Sequence, residues 1–449
     1  MTPSRIFCGL TLLLATTCAS AQPTTDFVIL ISVDGLHAGH LAELMANDLV
    51  GDFASFQRFV DEGASTFNAR TDYTHTNTSP NHTCMLTGRP VLQPAGMANT
   101  VHHGYTNNST PAPTATYHTS GNPNLSYVAS VFDVVHDHGL RTGCYISKPK
   151  LLIIDQSYGP TTGGLDLVLP DDGRDKIDAH VLEADIVLLN AALVADLNVS
   201  PAHFSFVHYN QPDLMGHEYG WGSASWDDAV RRIDDRLEEL FAAVENIPTL
   251  VGHTTIILTA DHGGIGTAHS DVTSPDCYTI PFFVWGPDVP AGVDLYAMNR
   301  TTRLVIGSSQ PTYHGGYQPI RTGDAGNLAL DLLNLPAIPG SIINADQDLI
   351  VDEVPTGRPE AGLQPTRLSV FPNPSSPDAL FEFTLPNAGR TRLEIYDAAG
   401  RRLRTAVDGW YPAGAHSFQM DAADLASGTY FARLVAGGHV VRRKFMIRR

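Results

Sequence analysis

Four short segments of this 449-residue chain combine side chains that metal-assisted hydrolysis uses. A threonine hydroxyl is a weak nucleophile at neutral pH and needs a base or a metal ion beside it. Three carboxylates and three imidazoles can bind two neighbouring cations, and this mixture of N and O ligands suits zinc better than calcium or magnesium. The candidates are Thr78 as nucleophile and, as ligands of two Zn²⁺ or other divalent ions, Asp34, Asp213, His217, Asp261, His262 and His269.

Each of these segments is weak evidence for a hydrolase site when it is taken alone. Asp34 precedes a glycine, as turn residues often do, and Thr78 stands two residues before a proline, as helix-capping residues often do. The chain has 19 histidines, so some of them have no ligand role. Asp213 and His217 are four residues apart, a spacing that brings both to one side of a helical turn. The prediction therefore depends on the combination and not on any single motif.

Apolar segments that read as strands come before three of the motifs. FVILISV precedes Asp34, HFSFVHY precedes the segment with Asp213, and TTIILTA precedes Asp261. Ligands of open α/β sheets bind beyond the carboxyl ends of the strands, so these three carboxylates are expected at one edge of one sheet. Pro80 suits the first turn of a helix, which places Thr78 at a helix N-terminus, where backbone N–H groups favour a phosphate.

The pattern along the chain predicts two folded domains. From residue 22 to 351, strand-like segments alternate with amphipathic helices such as Trp226 to Val244, which indicates an α/β catalytic domain with helices on both faces of its sheet. Residues 352–367 are polar and rich in Pro and Gly, as in a linker. Residues 368–449 contain short alternating segments separated by turn residues, which predicts a small all-β, Ig-like sandwich.

Residues 1–21 have the features of a secretory signal peptide: a cationic Arg5, an apolar stretch, and small residues that end at Ala21. No later segment has the roughly 20 apolar residues of a membrane helix. Cleavage after Ala21 is preferred over lipid attachment at Cys18. The formal net charge of -19 argues against binding to a nucleic-acid duplex. Three cysteines remain after cleavage, enough for one disulfide at most, and the pairing stays open.

The ordered motifs resemble the alkaline phosphatase superfamily, in particular its type I phosphodiesterase/nucleotide pyrophosphatase branch. The resemblance extends from Asp26 to about Asp346. It implies hydrolysis of a phosphate ester or nucleotide through a covalent phospho-threonine at Thr78, which water then cleaves. It also implies that Asn99, 99 − 78 = 21 positions after Thr78, donates to a phosphoryl oxygen. The implied zinc ligands form two sets bridged by Thr78: Asp213, His217 and His269 in one, Asp34, Asp261 and His262 in the other.

Two departures from the branch leave alternatives open. His269 follows His262 after only 269 − 262 = 7 positions, so His314 is a rival for the last ligand position. We prefer His269, because it precedes the strand that ends in Gly286-Pro287. The segment with Lys148 and Lys150 resembles the basic element of alkaline phosphatases with a threonine nucleophile. Such cations would bind the extra charge of a phosphate monoester, which makes a monoesterase the main alternative.

The tail resembles the type A sorting domain of the type IX secretion system through its FPNP, IYDAAG and SGTYF segments. The resemblance implies recognition by that machinery, export through the periplasm and outer membrane, and release or surface attachment. A carbohydrate-binding or spacer sandwich is the alternative for this part. For the whole protein, a non-catalytic surface-binding protein on the same scaffold is a remote alternative, since it would require degenerate ligand positions. The oligomeric state stays open.

Overall fold

A computed structural model describes most of the chain. The described residues are 25–48, 50–165, 174–314 and 318–352, and in the tail 367–371, 378–385, 389–397, 401–411, 414–422, 425–436 and 439–448. The predicted signal peptide and nearly all of the predicted linker lie outside them. The domain boundaries at residues 21, 351 and 367 therefore stay predictions.

The centre of the catalytic part is one eight-stranded sheet with the order β4-β3-β5-β1-β6-β7-β2-β8. Its strands are parallel except at β7, which pairs antiparallel with both β6 and β2. The bounds are β1 Phe27–Val33, β2 Ala64–Arg70, β3 Thr142–Ile146, β4 Ala179–Leu182, β5 Phe204–Tyr209, β6 Thr254–Thr259, β7 Thr279–Trp285 and β8 Val293–Asp294.

The three central strands are the ones that the apolar segments predict. Every residue of β5 and β6 is buried, and β1 is buried from Val28 onward. Strands buried on both faces read as continuous apolar runs, because neither face meets water. In the parallel register Val33 lies beside Tyr209 and Ser32 beside Thr259. The three strands consequently end at the same edge of the sheet.

Twelve α-helices among the described residues accompany the sheet. The longest, α9, contains the predicted helix from Trp226 to Val244 and buries Trp226, Ile233 and Leu240 along one face. The fold class predicted from the sequence, α/β with helices packed around a central sheet, is thus confirmed. The bounds are α1 Ala38–Asn47, α2 Ala54–Asp61, α3 Thr78–Thr87, α4 Tyr117–Ser120, α5 Val131–Asp137, α6 Leu152–Tyr158, α7 Ile186–Val199, α8 Gln211–Tyr219, α9 Ala224–Asn246, α10 Pro275–Tyr278, α11 Leu295–Met298 and α12 Asp324–Leu332. A short 3-10 helix, Pro149–Leu151, precedes α6.

The tail is all-β, as predicted. Its strands form a three-stranded sheet, β13-β10-β9, and a four-stranded sheet, β12-β11-β14-β15, with antiparallel pairing throughout. Leu368, Phe381, Leu393 and Phe445 are among the residues of its own apolar core. In the part of the chain that the structure describes, no helix has both the length and the apolar character of a membrane span. The bounds are β9 Arg367–Phe371, β10 Asp378–Leu385, β11 Gly389–Asp397, β12 Arg402–Tyr411, β13 Gly414–Asp421, β14 Gly428–Ala436 and β15 His439–Ile447.

Candidate active site and metal centre

Three buried carboxylates meet where the central strands end. Asp34 follows β1 directly, Asp261 comes two residues after β6, and Asp213 lies in the first turn of α8, which follows β5. The backbone N–H of Asp213 donates to the carbonyl of Asp34 at 3.0 Å, so the first turn of α8 is joined to the end of β1. All three side chains are at most 4% exposed. The edge predicted from the strand pattern is therefore where these carboxylates lie.

Two groups of three side chains bring their potential ligand atoms within 4.8 Å of one another. The first contains Asp34, Asp261 and His262, with His262 Nε2 3.4 Å from Asp34 Oδ1 and 3.3 Å from Asp261 Oδ2. The second contains Asp213, His262 and His269, with His269 Nε2 3.9 Å from Asp213 Oδ1. His262 belongs to both groups, and its ring stacks on that of His269 at a centroid distance of 3.7 Å.

His217 lies at the open side of the second group. Its Nε2 is 3.5 Å from Asp213 Oδ1, and its ring centroid is 4.9 Å from that of His269. Its side chain is 47% exposed, whereas that of His269 is 7% exposed. His314 is exposed, and neither group among the described residues includes it. Of the two rivals from the sequence, the structure brings His269 to the carboxylates.

The three histidines share one hydrogen-bonding pattern. Nδ1 lies 2.8 Å from the carbonyl of Gly263 in His262, 2.6 Å from that of Thr76 in His269, and 3.0 Å from that of Thr267 in His217. A carbonyl oxygen only accepts, so Nδ1 is the donor in each ring and Nε2 of the neutral imidazole has a free lone pair. Burial lowers the pKa of both His262 and His269, which favours that neutral form. Metal-binding histidines have this arrangement, with one nitrogen anchored and the other aimed at the ion.

Each carboxylate also has one oxygen anchored and one free. Asp261 Oδ1 accepts from the backbone N–H of Gly35 at 3.1 Å and of His262 at 3.0 Å. Asp34 and Asp213 are anchored through Oδ2, as described below. The opposite oxygens, Asp34 Oδ1, Asp213 Oδ1 and Asp261 Oδ2, are buried without a hydrogen-bond partner, and these same atoms face the imidazole nitrogens. Buried carboxylate oxygens rarely lack partners, so this donor set fits divalent cations with mixed N and O ligands.

Asp34 and Asp261 differ in their electrostatic surroundings. Burial and the negative charges of Asp34 and Asp213 raise the pKa of Asp261 well above its ordinary value. Burial would also raise the pKa of Asp34, but Lys148 and His208 outweigh it, so this pKa is lowered well below its ordinary value. A cation bound beside Asp261 would relieve the repulsion among the three carboxylates.

Thr78 is the first residue of α3, and Asn77 is its N-cap. Thr78 therefore lies at the helix N-terminus, as predicted, but as the first helical residue and not as the cap. The Thr78 side chain is fully buried, and its Oγ1 lies 3.4 Å from His262 Nε2. His82, one turn along α3, makes a hydrogen bond from its ring to the Thr78 carbonyl at 2.8 Å. The hydroxyl consequently lies beside the imidazole that both ligand groups share.

The N-terminus of α3 offers few N–H groups to an anion. Ser79 N–H donates to Asn108 Oδ1 at 3.0 Å, Pro80 has no N–H, and Asn81 N–H donates to the Asn77 carbonyl at 3.2 Å. The N–H of Thr78 has no partner among the described hydrogen bonds, and the phosphate site at this N-terminus stays a prediction.

The resemblance implied Asn99, but the side chain that contacts the first turn of α3 from the following loop is Asn108. Asn99 is exposed, and among the described contacts only its carbonyl takes part, accepting from Asn122 Nδ2 at 2.7 Å. Asn108 is half-buried and contacts the residue directly after Thr78. The role of Asn99 stays a prediction that these contacts do not support. The sequence around Asn108 gives no signal for this role, because the contact with Ser79 depends on how the loop after α3 folds back.

Lys148 enters the carboxylate cluster from the end of β3. Its Nζ donates to Asp34 Oδ2 at 2.7 Å and also to Asp213 Oδ2, and its side chain is 8% exposed. Lys148 and Lys150 were both expected to bind the substrate, as cations for a phosphate monoester. Lys150 is only half-buried, and none of the described hydrogen bonds or ion pairs joins it to the cluster. The structure separates the roles of these two lysines.

Sequence reasoning missed His208, a buried residue of β5. Its Nε2 lies 3.0 Å from Asp34 Oδ2, and since a carboxylate only accepts, Nε2 is the donor. Its Nδ1 is 2.9 Å from Ser147 Oγ. A histidine within a strand of mostly apolar residues was the available signal. Asp34 Oδ2 therefore has two protein donors, Lys148 and His208.

Family models match both parts of the chain. The family model of type I phosphodiesterase/nucleotide pyrophosphatase matches residues 28–276, and that of the secretion system C-terminal sorting domain matches residues 369–448. Solved structures that are similar include murine ectonucleotide pyrophosphatase/phosphodiesterase 5, as an inactive variant in complex with AMP, at 13% identity, TM-score 0.47, and coverage of 70% of this chain and 96% of that one. The human counterpart has 13% identity, TM-score 0.45, and coverage of 71% and 99%.

Proposed function

The chain belongs to the type I phosphodiesterase/nucleotide pyrophosphatase family, and we propose that it is an exported, two-zinc hydrolase of phosphodiesters that acts through a phospho-threonine at Thr78. The family supports phosphoric ester hydrolysis, and the sorting domain implies export. The proposal adds the metal, its number, the nucleophile and the ligands.

One observation carries the metal part of the proposal. Three carboxylates and three imidazoles each have one polar atom anchored by the protein and the other aimed into a common space. An arrangement of this kind costs desolvation unless cations bind there. We assign Asp34, Asp261 and His262 to one ion and Asp213, His217 and His269 to the other. Bound divalent cations would lower the pKa of the Thr78 hydroxyl and neutralise charge on the phosphoryl group.

Thr78 performs the covalent step in this proposal. Its Oγ1 forms a bond to phosphorus while the bond from phosphorus to the leaving alcohol or phosphate breaks, and the hydroxyl proton passes to solvent. Water then attacks phosphorus, the bond between phosphorus and Oγ1 breaks, and one proton of that water returns to Oγ1 while its hydroxyl stays on the phosphate, which restores Thr78. The position of Thr78 at the start of α3 fixes Oγ1 on the side of His262.

The monoesterase alternative depends on free cations that bind a dianionic phosphate. Lys148 uses two of its N–H donors on Asp34 and Asp213, and Lys150 has no described contact with the cluster. These contacts favour the diester. The three carboxylates and Lys148 together have a charge of −3 + 1 = −2. Two divalent ions would bring the cluster to +2. This positive charge could attract the dianion of a phosphate monoester, so the monoester is included in the test.

Initial rates on bis-p-nitrophenyl phosphate and p-nitrophenyl phosphate test the proposal. We expect the zinc-loaded protein to prefer the diester, and Thr78→Ala to lose at least about 10³-fold in rate. Thr83→Ala is the matched control, since Thr83 is a buried threonine of the same helix whose hydroxyl bonds within the helix. A monoester preference of several orders of magnitude would establish the phosphatase instead. Equal rates for wild type and Thr78→Ala would refute the role of Thr78.

A further inference from the structure

Lys148 is the only cation that the described contacts place among the three ligand carboxylates. Its ammonium contacts Asp34, a member of the first ligand group, and Asp213, a member of the second. It therefore connects the two groups directly. Removing an ammonium and two carboxylates from water is costly, and such a set persists only when the partners are closely paired.

The ammonium and the proposed metal ions use different oxygens of the same carboxylates. Lys148 takes Oδ2 of Asp34 and Oδ2 of Asp213, whereas Oδ1 of each residue is the buried oxygen without a partner. The lysine can thus stay in place when cations bind to the Oδ1 atoms. In that state three positive centres share three carboxylates, and the ammonium repels each divalent ion.

Lys148 stays charged in this position. Its Nζ donates to Oδ2 of both Asp34 and Asp213, and an amine held between two carboxylates is protonated at neutral pH. His208 supplies a second donor to the same oxygen, Asp34 Oδ2. Lys148 is consequently the group that neutralises carboxylate charge before any metal arrives.

We propose that Lys148 is a positioning residue with two effects. First, its ammonium neutralises Asp34 and Asp213 and thereby stabilises the metal-free protein. Second, because it stabilises that state, it lowers the affinity of the site for divalent cations. The inference rests on the proposed metal site for its second effect. Its first effect, on the metal-free protein, does not depend on catalysis or on metal binding.

Thermal unfolding of metal-free and zinc-loaded protein tests both effects. In Lys148→Met we expect the midpoint of the metal-free protein to fall by at least about 5 °C, because two buried carboxylates lose their counter-charge. The zinc-loaded midpoint should fall by less, since the divalent ions take over that neutralisation. By linkage, zinc affinity measured by competition with a chelating dye should rise by at least about tenfold. Lys150→Met changes the net charge equally and should leave all three quantities near their wild-type values.

A charge-compensated variant keeps the test decisive if Lys148→Met folds poorly. Lys148→Met/Asp213→Asn removes one charge of each sign, so it should recover part of the lost metal-free stability. No recovery, or equal losses in the metal-free and zinc-loaded states, would mean that Lys148 provides only packing and would overturn the proposal. A larger loss in the loaded state would also overturn it, since Lys148 would then favour metal binding. If wild type binds no zinc, the proposed function fails while the metal-free comparison still decides the first effect.

Discussion

The residue His208 illustrates how the proposed metal ligands depend on side chains that hydrogen-bond to them. Its Nε2 donates to Asp34 Oδ2 from within β5, and this bond helps to leave Oδ1 directed at His262. His208→Leu removes the donor at similar volume, so we expect zinc affinity to fall about 10- to 100-fold. His208→Gln can still donate from its amide and should retain most of the affinity. Dye competition measures both variants, and unchanged affinity in the leucine variant would argue against the positioning role.

The sequence identifies the carboxylates better than it identifies their partners. Asp34 and Asp261 follow strand patterns that fix their position at the sheet edge, so their neighbours in space could be inferred. Asn99 was implied by the family resemblance, which matched a spacing along the chain, and such a spacing means little across an irregular loop. Lys148 could be associated with the site by motif, but its contact with carboxylates instead of substrate depends on side-chain packing that no local pattern encodes.

At the scale of elements, the site depends on how closely the loop after β1 approaches α8. Gly35 has φ +73°, and a Cβ there would be 2.9 Å from the Asp213 Cα. Its N–H bonds Asp261 and its carbonyl accepts from Trp221 Nε1 at 2.8 Å, so the turn joins three parts of the site. Only glycine combines this φ with this approach.

Gly35→Ala should therefore do more than strain the backbone. We expect it to lower thermal stability and to weaken zinc binding, because Asp213 must move away from the new methyl group. Gly139→Ala is the matched control: Gly139 has φ +72°, yet a Cβ there would meet nothing within 4 Å. A positive φ costs an alanine about 1–2 kcal/mol. Equal stability losses and unchanged zinc affinity in the two variants would show that the close approach at Gly35 does not matter.

The elements that the sequence predicted best are the ones with the most burial. Strands β1, β5 and β6 are apolar throughout because both faces are covered, and α9 has a long amphipathic pattern. The edge strands β4 and β8 have four and two residues, only partly buried or exposed, so they leave little hydrophobic pattern to read. These elements could be predicted from the sequence because burial leaves a clear hydrophobic pattern, more than because of the intrinsic propensities of their residues.

Across the full chain, the catalytic part and the tail each have an apolar core of their own. The core of the catalytic part and that of the tail are separate clusters with no residue in common. In a host with a type IX secretion system, we expect a chain that ends at Val351 to stay in the periplasm with its phosphodiesterase activity intact. The full chain should reach the surface or the medium. Cell fractionation with activity assays measures both, and export of the shortened chain would refute the role of the tail.

The shared position of His262 has a kinetic consequence for metal exchange. One Nε2 lone pair cannot serve two ions at once, although His262 lies in reach of both ligand groups. If the ion beside Asp34 and Asp261 binds this lone pair, the other ion has only Asp213, His217 and His269 as ligands. Of the three histidines of the site, His217 is the most exposed. Water can reach that ion from the solvent side, so its dissociation should be the faster of the two. The centre would then release its metals in two phases, with a resident ion and an exchangeable one.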